Sequence, residues 1–184
     1  EKSQSEKSDI LAAYTHFFTR TKTLMEQVEG NPDDIEVKIK KGLIEQNSNP
    51  MKVTTSGPEE RAEEKFFAGG KWRRVQRKNW WDDYKGKNLV VIGHYWRRFS
   101  PPDAKLVEGF NPSGENPFVG VGDFSVAGGG GGVLCVDYSV GIRYEERGKG
   151  WAPGAMGTGL AALRLPEMVL VFDSGKLERV NVKN

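Results

Sequence analysis

The feature that most constrains the fold is a short apolar run, residues 89–92, that ends at Gly93-His94. Its sequence, Leu-Val-Val-Ile, has the β-branched composition of a buried strand rather than of a helix. Glycine tolerates backbone angles that other residues avoid, so the chain can turn sharply at Gly93. His94 is therefore predicted to follow the carboxyl end of a strand, where α/β folds commonly place their chemistry. An imidazole there could bind a metal, transfer a proton or satisfy a hydrogen bond in the core.

A second apolar run, residues 133–136, ends at Asp137-Tyr138-Ser139. We expect the two strands to be neighbours, which would bring Asp137 within reach of the second nitrogen of the His94 imidazole. The alternative, equally open, is that Asp137 only turns the chain. Cys135 lies in this apolar run with no cation or histidine nearby in sequence to lower its pKa, so we expect an inert, buried thiol.

These motifs together resemble a known family. Gly93-His94-Tyr95-Trp96, residues 133–140 (Val-Leu-Cys-Val-Asp-Tyr-Ser-Val) and residues 159–164 (Gly-Leu-Ala-Ala-Leu-Arg) follow one another as in the C-terminal half of calcineurin-like metallophosphoesterases. The likeness is to the branch of bacterial serine/threonine-phosphatase-like and diadenosine-tetraphosphatase-like proteins, and it covers roughly residues 50–173. It implies the C-terminal part of an αββα sandwich, an α/β (α+β) fold whose sheet is mixed or mostly antiparallel, with two N-terminal helices.

The resemblance also implies a chemistry. Two divalent metal ions (Mn, Fe or Zn) would activate a water molecule that hydrolyses a phosphate ester. His94 would bind one of the metals, and Asp137 would support its imidazole. Guanidinium groups bind phosphate oxygens in pairs, although adjacent arginines in a loop are usually only solvated. The candidates for contact with the phosphorylated substrate are Tyr95, Arg97, Arg98 and Tyr138.

The family's other metal ligands have no counterpart in this sequence. Its Asp-x-His pair, its Gly-Asp-x-x-Asp-Arg-Gly loop and its Gly-Asn-His-Asp or Gly-Asn-His-Glu loop are missing, and His16, the only other histidine, falls in a predicted helix. One ligand cannot hold two metals that each prefer roughly four to six donors. We therefore expect a fragment that binds no metal tightly and is inactive without the missing N-terminal half. The parent's substrate would be a phosphoprotein, a nucleotide or a small ester.

Three segments are predicted along the chain. Residues 1–8, charged and serine-rich, are expected to form a disordered tail. Residues 9–46 carry apolar residues at helical spacing and predict two amphipathic helices, the first capped by Ser8 and the second starting at Asn31-Pro32. Residues 47–184 would hold the metallophosphoesterase half and would begin with a long loop, which ends near residue 70.

Two features near the C-terminus complete this organisation. The glycine run 128–132 lacks the lysine of a phosphate-binding loop and is predicted to be a flexible linker. Residues 160–165 and 168–172 predict an antiparallel hairpin across Pro166-Glu167, with Arg164 facing outward.

Residues 71–81 interleave cations with tryptophans and raise a rival hypothesis. Such a segment could stack on bases and pair with phosphates as a nucleic-acid-binding module. It could also be an edge strand whose tryptophans pack inward and whose cations are solvated. The flanking acids Glu63, Glu64, Asp82 and Asp83 favour the edge strand, so nucleic acid is not the expected partner. A further alternative is a non-catalytic remnant that acts as an interaction domain.

Charge and composition narrow the class of protein. With 27 Lys and Arg against 25 Asp and Glu, no overall field draws the chain to nucleic acid or membrane. The single cysteine excludes an internal disulfide and fits a reducing compartment. No apolar run approaches the roughly 18 residues of a membrane span. We therefore predict a cytoplasmic protein without a membrane partner.

Overall fold

The structure is a computed structural model that describes residues 2–68, 71–99, 117–130 and 132–182. It divides into two units, Glu1–Lys78 and Asn79–Asn184, and the division falls after the basic strand. The segment boundary predicted after residue 46 stays a prediction. The described residues combine α-helices with small sheets in which most strand pairs are antiparallel, which confirms a mixed α+β class. None of the helices in these residues has both the length and the apolar character needed to cross a bilayer.

The first unit opens with helices and closes with a hairpin. Its elements are α1 (Lys2–Glu26), α2 (Ile35–Asn47), α3 (Pro50–Ser56), β1 (Glu59–Ala68) and β2 (Lys71–Arg77).

The two predicted N-terminal helices are confirmed, but their starts differ from the prediction. α1 already begins at Lys2, so the expected tail is helical and Ser8 is not its cap. Lysine, glutamine and glutamate are good helix formers, which favours helix in a segment without an apolar stripe. α2 starts after Asp34, whose carboxylate accepts a hydrogen bond from the Glu36 backbone N–H at 2.8 Å. The predicted cap at Asn31 is therefore three residues too early.

The long loop predicted up to residue 70 is wrong, because α3 and β1 occupy most of it. The Asn49 side chain caps α3 by accepting from the backbone N–H of Met51 at 3.0 Å. The Asn47 amide then exchanges two hydrogen bonds with the backbone of Glu59, at 2.7 and 2.8 Å. This pairing fixes the start of β1 against the end of α2.

β1 and β2 form an antiparallel pair, and the strand predicted from the basic segment is confirmed. Phe67 lies directly opposite Trp72, and the register shifts between Arg61 and Phe66. The predicted inward packing holds for Trp81, which is buried, but not for Trp72, which is 63% exposed.

The second unit contains a parallel strand pair and an antiparallel sheet. The pair is β3 (Val90–Ile92) with β4 (Val133–Cys135), and the sheet has four strands that lie side by side in chain order. Its strands are β5 (Asp137–Tyr138), β6 (Gly159–Arg164), β7 (Val169–Phe172) and β8 (Leu177–Arg179), and a short helix α4 (Arg143–Gly148) precedes β6.

Apolar runs in the sequence predicted several strands of this unit. The strand before His94, its neighbour β4 and the terminal hairpin β6–β7 with Arg164 exposed are all confirmed. The predicted burial of the strand before His94 is wrong, because β3 is only partly buried and Val91 is 45% exposed. β8 was not predicted. Since β4 is buried on both faces, it separates two apolar clusters. One contains Trp81, Tyr95, Phe118, Ala127, Val133 and Cys135, and the other contains Val126, Leu134, Tyr138, Leu170, Phe172 and Val180.

The described glycines of the run, residues 128–130 and 132, belong to a packed turn and not to a flexible linker, so that prediction is wrong for them. Ala127 and Val133 exchange two backbone hydrogen bonds, at 2.8 and 2.9 Å, which close the turn. Gly128, Gly130 and Gly132 have φ values of 76°, 60° and 73°, a region that favours glycine. The run therefore supplies backbone angles that the turn requires.

Candidate functional site

The candidate site lies where β3 and β4 end. Parallel pairing places Val90 opposite Val133 and Ile92 opposite Cys135, so the two strands end at the same edge of the pair. His94 follows β3 by two residues, as the sequence predicted, and it is exposed.

The Asp137 carboxylate joins the two chain segments at this edge. One oxygen accepts from the backbone N–H of His94 at 2.8 Å, and the other accepts from the backbone N–H of Ser139 at 2.9 Å. With these bonds Asp137 holds the turn of the chain, which is one of the two roles that the sequence left open for it. Its support of the imidazole nitrogen stays a prediction.

The backbone at this edge is strained. His94, Trp96 and Ser139 have φ values of 66°, 50° and 53°, in the left-handed region that costs a non-glycine residue about 1–2 kcal/mol. Residues persist there only when their surroundings hold them, and such residues cluster at functional sites. The Ser139 hydroxyl donates to the Arg97 carbonyl at 2.9 Å and adds to the Asp137 bridge. The exposed residues His94 and Trp96, whose ring centres lie 5.7 Å apart, therefore lie on a loop that these hydrogen bonds hold in place.

Arg97 does not face a substrate site, which corrects the prediction for it. Its side chain is buried, and its guanidinium donates to the backbone carbonyls of Val121, Gly122 and Ser125. It also lies 4.8 Å from the centre of the Phe118 ring. Arg97 thus holds a neighbouring loop in place and has its charge inside the protein.

The two tyrosines are likewise part of the core and not of a cleft. Tyr138 is fully buried, its hydroxyl donates to the Asp123 carbonyl at 2.8 Å, and burial raises the pKa of that hydroxyl. Tyr95 is buried beside Trp81, with ring centres 5.3 Å apart. Neither side chain can rim a substrate cleft in this position, because both point into apolar clusters.

Arg98 is half-buried near a carboxylate that sequence reasoning missed. Burial lowers the pKa of Arg98, and the charge of Glu146 opposes that effect. Glu146 is almost completely buried, in α4. Nothing in the sequence distinguishes it from its exposed neighbour Glu145. The role of Arg98 toward a phosphorylated substrate stays a prediction.

Cys135 is buried as predicted, and burial raises the pKa of its thiol from 9.0 to about 11. We expect a disulfide reagent to label it only as the chain unfolds, since the thiolate is the reactive form and the folded protein keeps the neutral thiol. Labelling at mildly alkaline pH with and without urea measures this. Equal labelling rates in the two conditions would contradict the buried position.

A separate cavity of about 530 Å³ lies in the first unit. It is lined by Tyr14, Phe18, Met25, Lys41 and Lys52, among others, and by none of the residues that the resemblance singles out. His16, the second histidine, is exposed on α1.

The described residues contain no group of three or more histidine, cysteine or acidic side chains arranged to hold a metal ion. The site as described is one exposed imidazole and one indole on a strained loop that Asp137 anchors. Comparison with protein-family models, with curated proteins and with solved structures finds no match for this chain.

Proposed function

We propose that this chain is the C-terminal part of a dinuclear-metal phosphoesterase in which His94 binds one of the two metal ions. The observation that carries the proposal is the placement of His94. The residue is exposed two positions after the partly buried strand β3, on a strained backbone that the Asp137 carboxylate holds. A ring packed among aliphatic side chains would have no access to a metal, and His94 has no such burial.

The bound metals, Mn, Fe or Zn, would supply a water molecule activated for attack on phosphorus. His94 is the ligand that this chain contributes, and the exposed Trp96 ring forms a wall beside it. The remaining ligands would come from polypeptide outside this sequence, because one imidazole cannot hold two metals. A calcineurin-like sandwich and a cytoplasmic location belong to the same proposal. The parallel pair and the antiparallel sheet described above are compatible with that fold.

The test compares the two histidines in a longer chain. We expect the present chain to show no turnover of a chromogenic phosphate ester with manganese, and a chain extended through the upstream reading frame to show it. In the extended chain, His94→Ala should lower manganese affinity by at least the ten- to hundred-fold that loss of a supporting group costs, and turnover with it. His16→Ala is the matched control and should leave both unchanged, since His16 is an exposed helix residue.

Two outcomes would overturn the proposal. An upstream frame without the Asp-x-His and Gly-Asp-x-x-Asp-Arg-Gly segments would favour the non-catalytic remnant. Manganese content and turnover that do not change in His94→Ala would remove His94 from the metal site, even if the extended chain is active.

A further inference from the structure

A second surface stands out in the first unit, on the β1–β2 hairpin. Phe67 and Trp72 are 53% and 63% exposed, although both are large apolar residues. They are direct cross-strand neighbours, and their rings meet edge to face with centres 5.7 Å apart. Exposed aromatic side chains that lie together commonly mark a binding surface.

Cations surround this aromatic pair. Side chains alternate along a strand, so Arg74 lies on the same face as Trp72, and both are exposed while the intervening Arg73 is half-buried. The Lys65 ammonium lies 5.0 Å from the centre of the Trp72 ring. We call Lys65, Phe67, Trp72 and Arg74 the outer hairpin face.

The charge along the hairpin is divided sharply. Residues 65–74 contain four cations and no acid, whereas residues 59–64 contain four acids and one arginine. The cationic end covers about four residues of each strand, or roughly 13 Å. Glu63 and Glu64 limit it on one side, so an anionic partner can contact only a short stretch.

We propose that the outer hairpin face binds single-stranded nucleic acid. Bases would stack on Phe67 and Trp72, and Lys65 and Arg74 would pair with phosphates over about two nucleotides. The two rings face different directions, so they suit bases that have left the helical stack and not an intact duplex. This surface carries the proposal independently of His94 and of phosphoester hydrolysis.

An anionic membrane surface carries negative charges as nucleic acid does, but the sequence of the hairpin is less suited to membrane binding. The sequence between the two aromatic residues, Ala-Gly-Gly-Lys, contains no large apolar residue that could anchor in a bilayer. The paired arrangement of aromatic rings and cations on one sheet face matches base stacking with phosphate contact. Binding to a membrane is therefore the alternative result that the test must distinguish.

The test titrates the full chain into a labelled short oligothymidylate and follows fluorescence anisotropy at several salt concentrations. We expect the logarithm of affinity to fall against the logarithm of salt with a slope of about −1.4, as for two phosphate contacts on a single strand. Trp72→Ala should weaken binding about tenfold through lost stacking. Lys65→Gln with Arg74→Gln should make the slope shallower by about 1.4, so that little salt dependence remains.

Matched controls use residues with similar exposure and charge elsewhere. Tyr144→Ala removes another exposed aromatic ring, and Arg20→Gln with Lys22→Gln removes two other exposed cations of the first unit. Both should bind as the parent chain does. The same sequence as a duplex should bind more weakly than the single strand.

Several results would overturn this proposal. They are the absence of oligonucleotide binding at low salt, equal affinity of Trp72→Ala and Tyr144→Ala, and equal affinity for single strand and duplex. If anionic vesicles sediment the chain through Trp72 while the oligonucleotide does not bind, the face contacts a membrane surface instead.

Discussion

Replacing Glu146 by alanine is expected to lower the free energy of unfolding by about 3–5 kcal/mol, a large part of the stability of a typical domain. Its carboxylate is almost completely buried and accepts hydrogen bonds from the backbone N–H groups of Gly154 and Met156, at 3.0 and 2.9 Å. It also accepts from the Thr158 hydroxyl at 2.9 Å. The substitution leaves these donors without their acceptor in the interior, and each unsatisfied buried group costs about 1–3 kcal/mol.

Urea denaturation of matched variants measures this effect. Glu145→Ala is the control, because its side chain is exposed on the same helix, and we expect a change within about 0.5 kcal/mol. Thr158→Val removes one donor together with its need for an acceptor, so its cost should be about 1 kcal/mol. Equal midpoints for Glu146→Ala and Glu145→Ala would show that the buried carboxylate does not hold the segment 154–158.

Replacing Gly128 by alanine is expected to cost about 2–4 kcal/mol. An alanine there must adopt a φ of 76°, and its Cβ would lie 2.3 Å from the carbonyl oxygen of Trp81. No real contact is that short, so the backbone next to the buried Trp81 side chain would have to move. Trp81 stacks on Phe118 with ring centres 4.8 Å apart, and the movement would disturb this packing.

The adjacent glycine provides the control. A Cβ at Gly129 meets nothing within 4 Å, and its φ is not in the left-handed region. Gly129→Ala should therefore be neutral or slightly stabilising, because alanine restricts the unfolded chain more than glycine does. Thermal or urea unfolding of the two variants distinguishes a packed turn from a linker, since a linker would tolerate both substitutions equally.

The sequence predicted elements wherever burial leaves a periodic pattern. The apolar run before His94 and its counterpart before Asp137 became neighbouring strands, and the alternation near the C-terminus became the β6–β7 hairpin. β1 was missed because it reads Glu-Glu-Arg-Ala-Glu-Glu-Lys-Phe-Phe-Ala. A strand in a two-stranded sheet has much of its surface in water and needs no apolar face, so pairing with β2 decides its structure.

The candidate site was predictable in position but less so in detail. Strand ends placed His94 and Asp137 together, because parallel neighbours end at one edge. The burial of Arg97 was not predictable, since the carbonyls that bind its guanidinium lie 24 to 28 residues away. The burial of Glu146 was also not predictable, because the groups that donate hydrogen bonds to its carboxylate come near it only in the folded chain.

The Asp137 bridge has a mechanical consequence. Asp137 is also the first residue of β5, where it pairs with Leu160 of β6. The position of the His94 loop therefore depends on the terminal sheet as well as on β3, the strand that precedes it. A one-residue shift of β6 along β5 would therefore move the Asp137 carboxylate and change the direction of the His94 side chain.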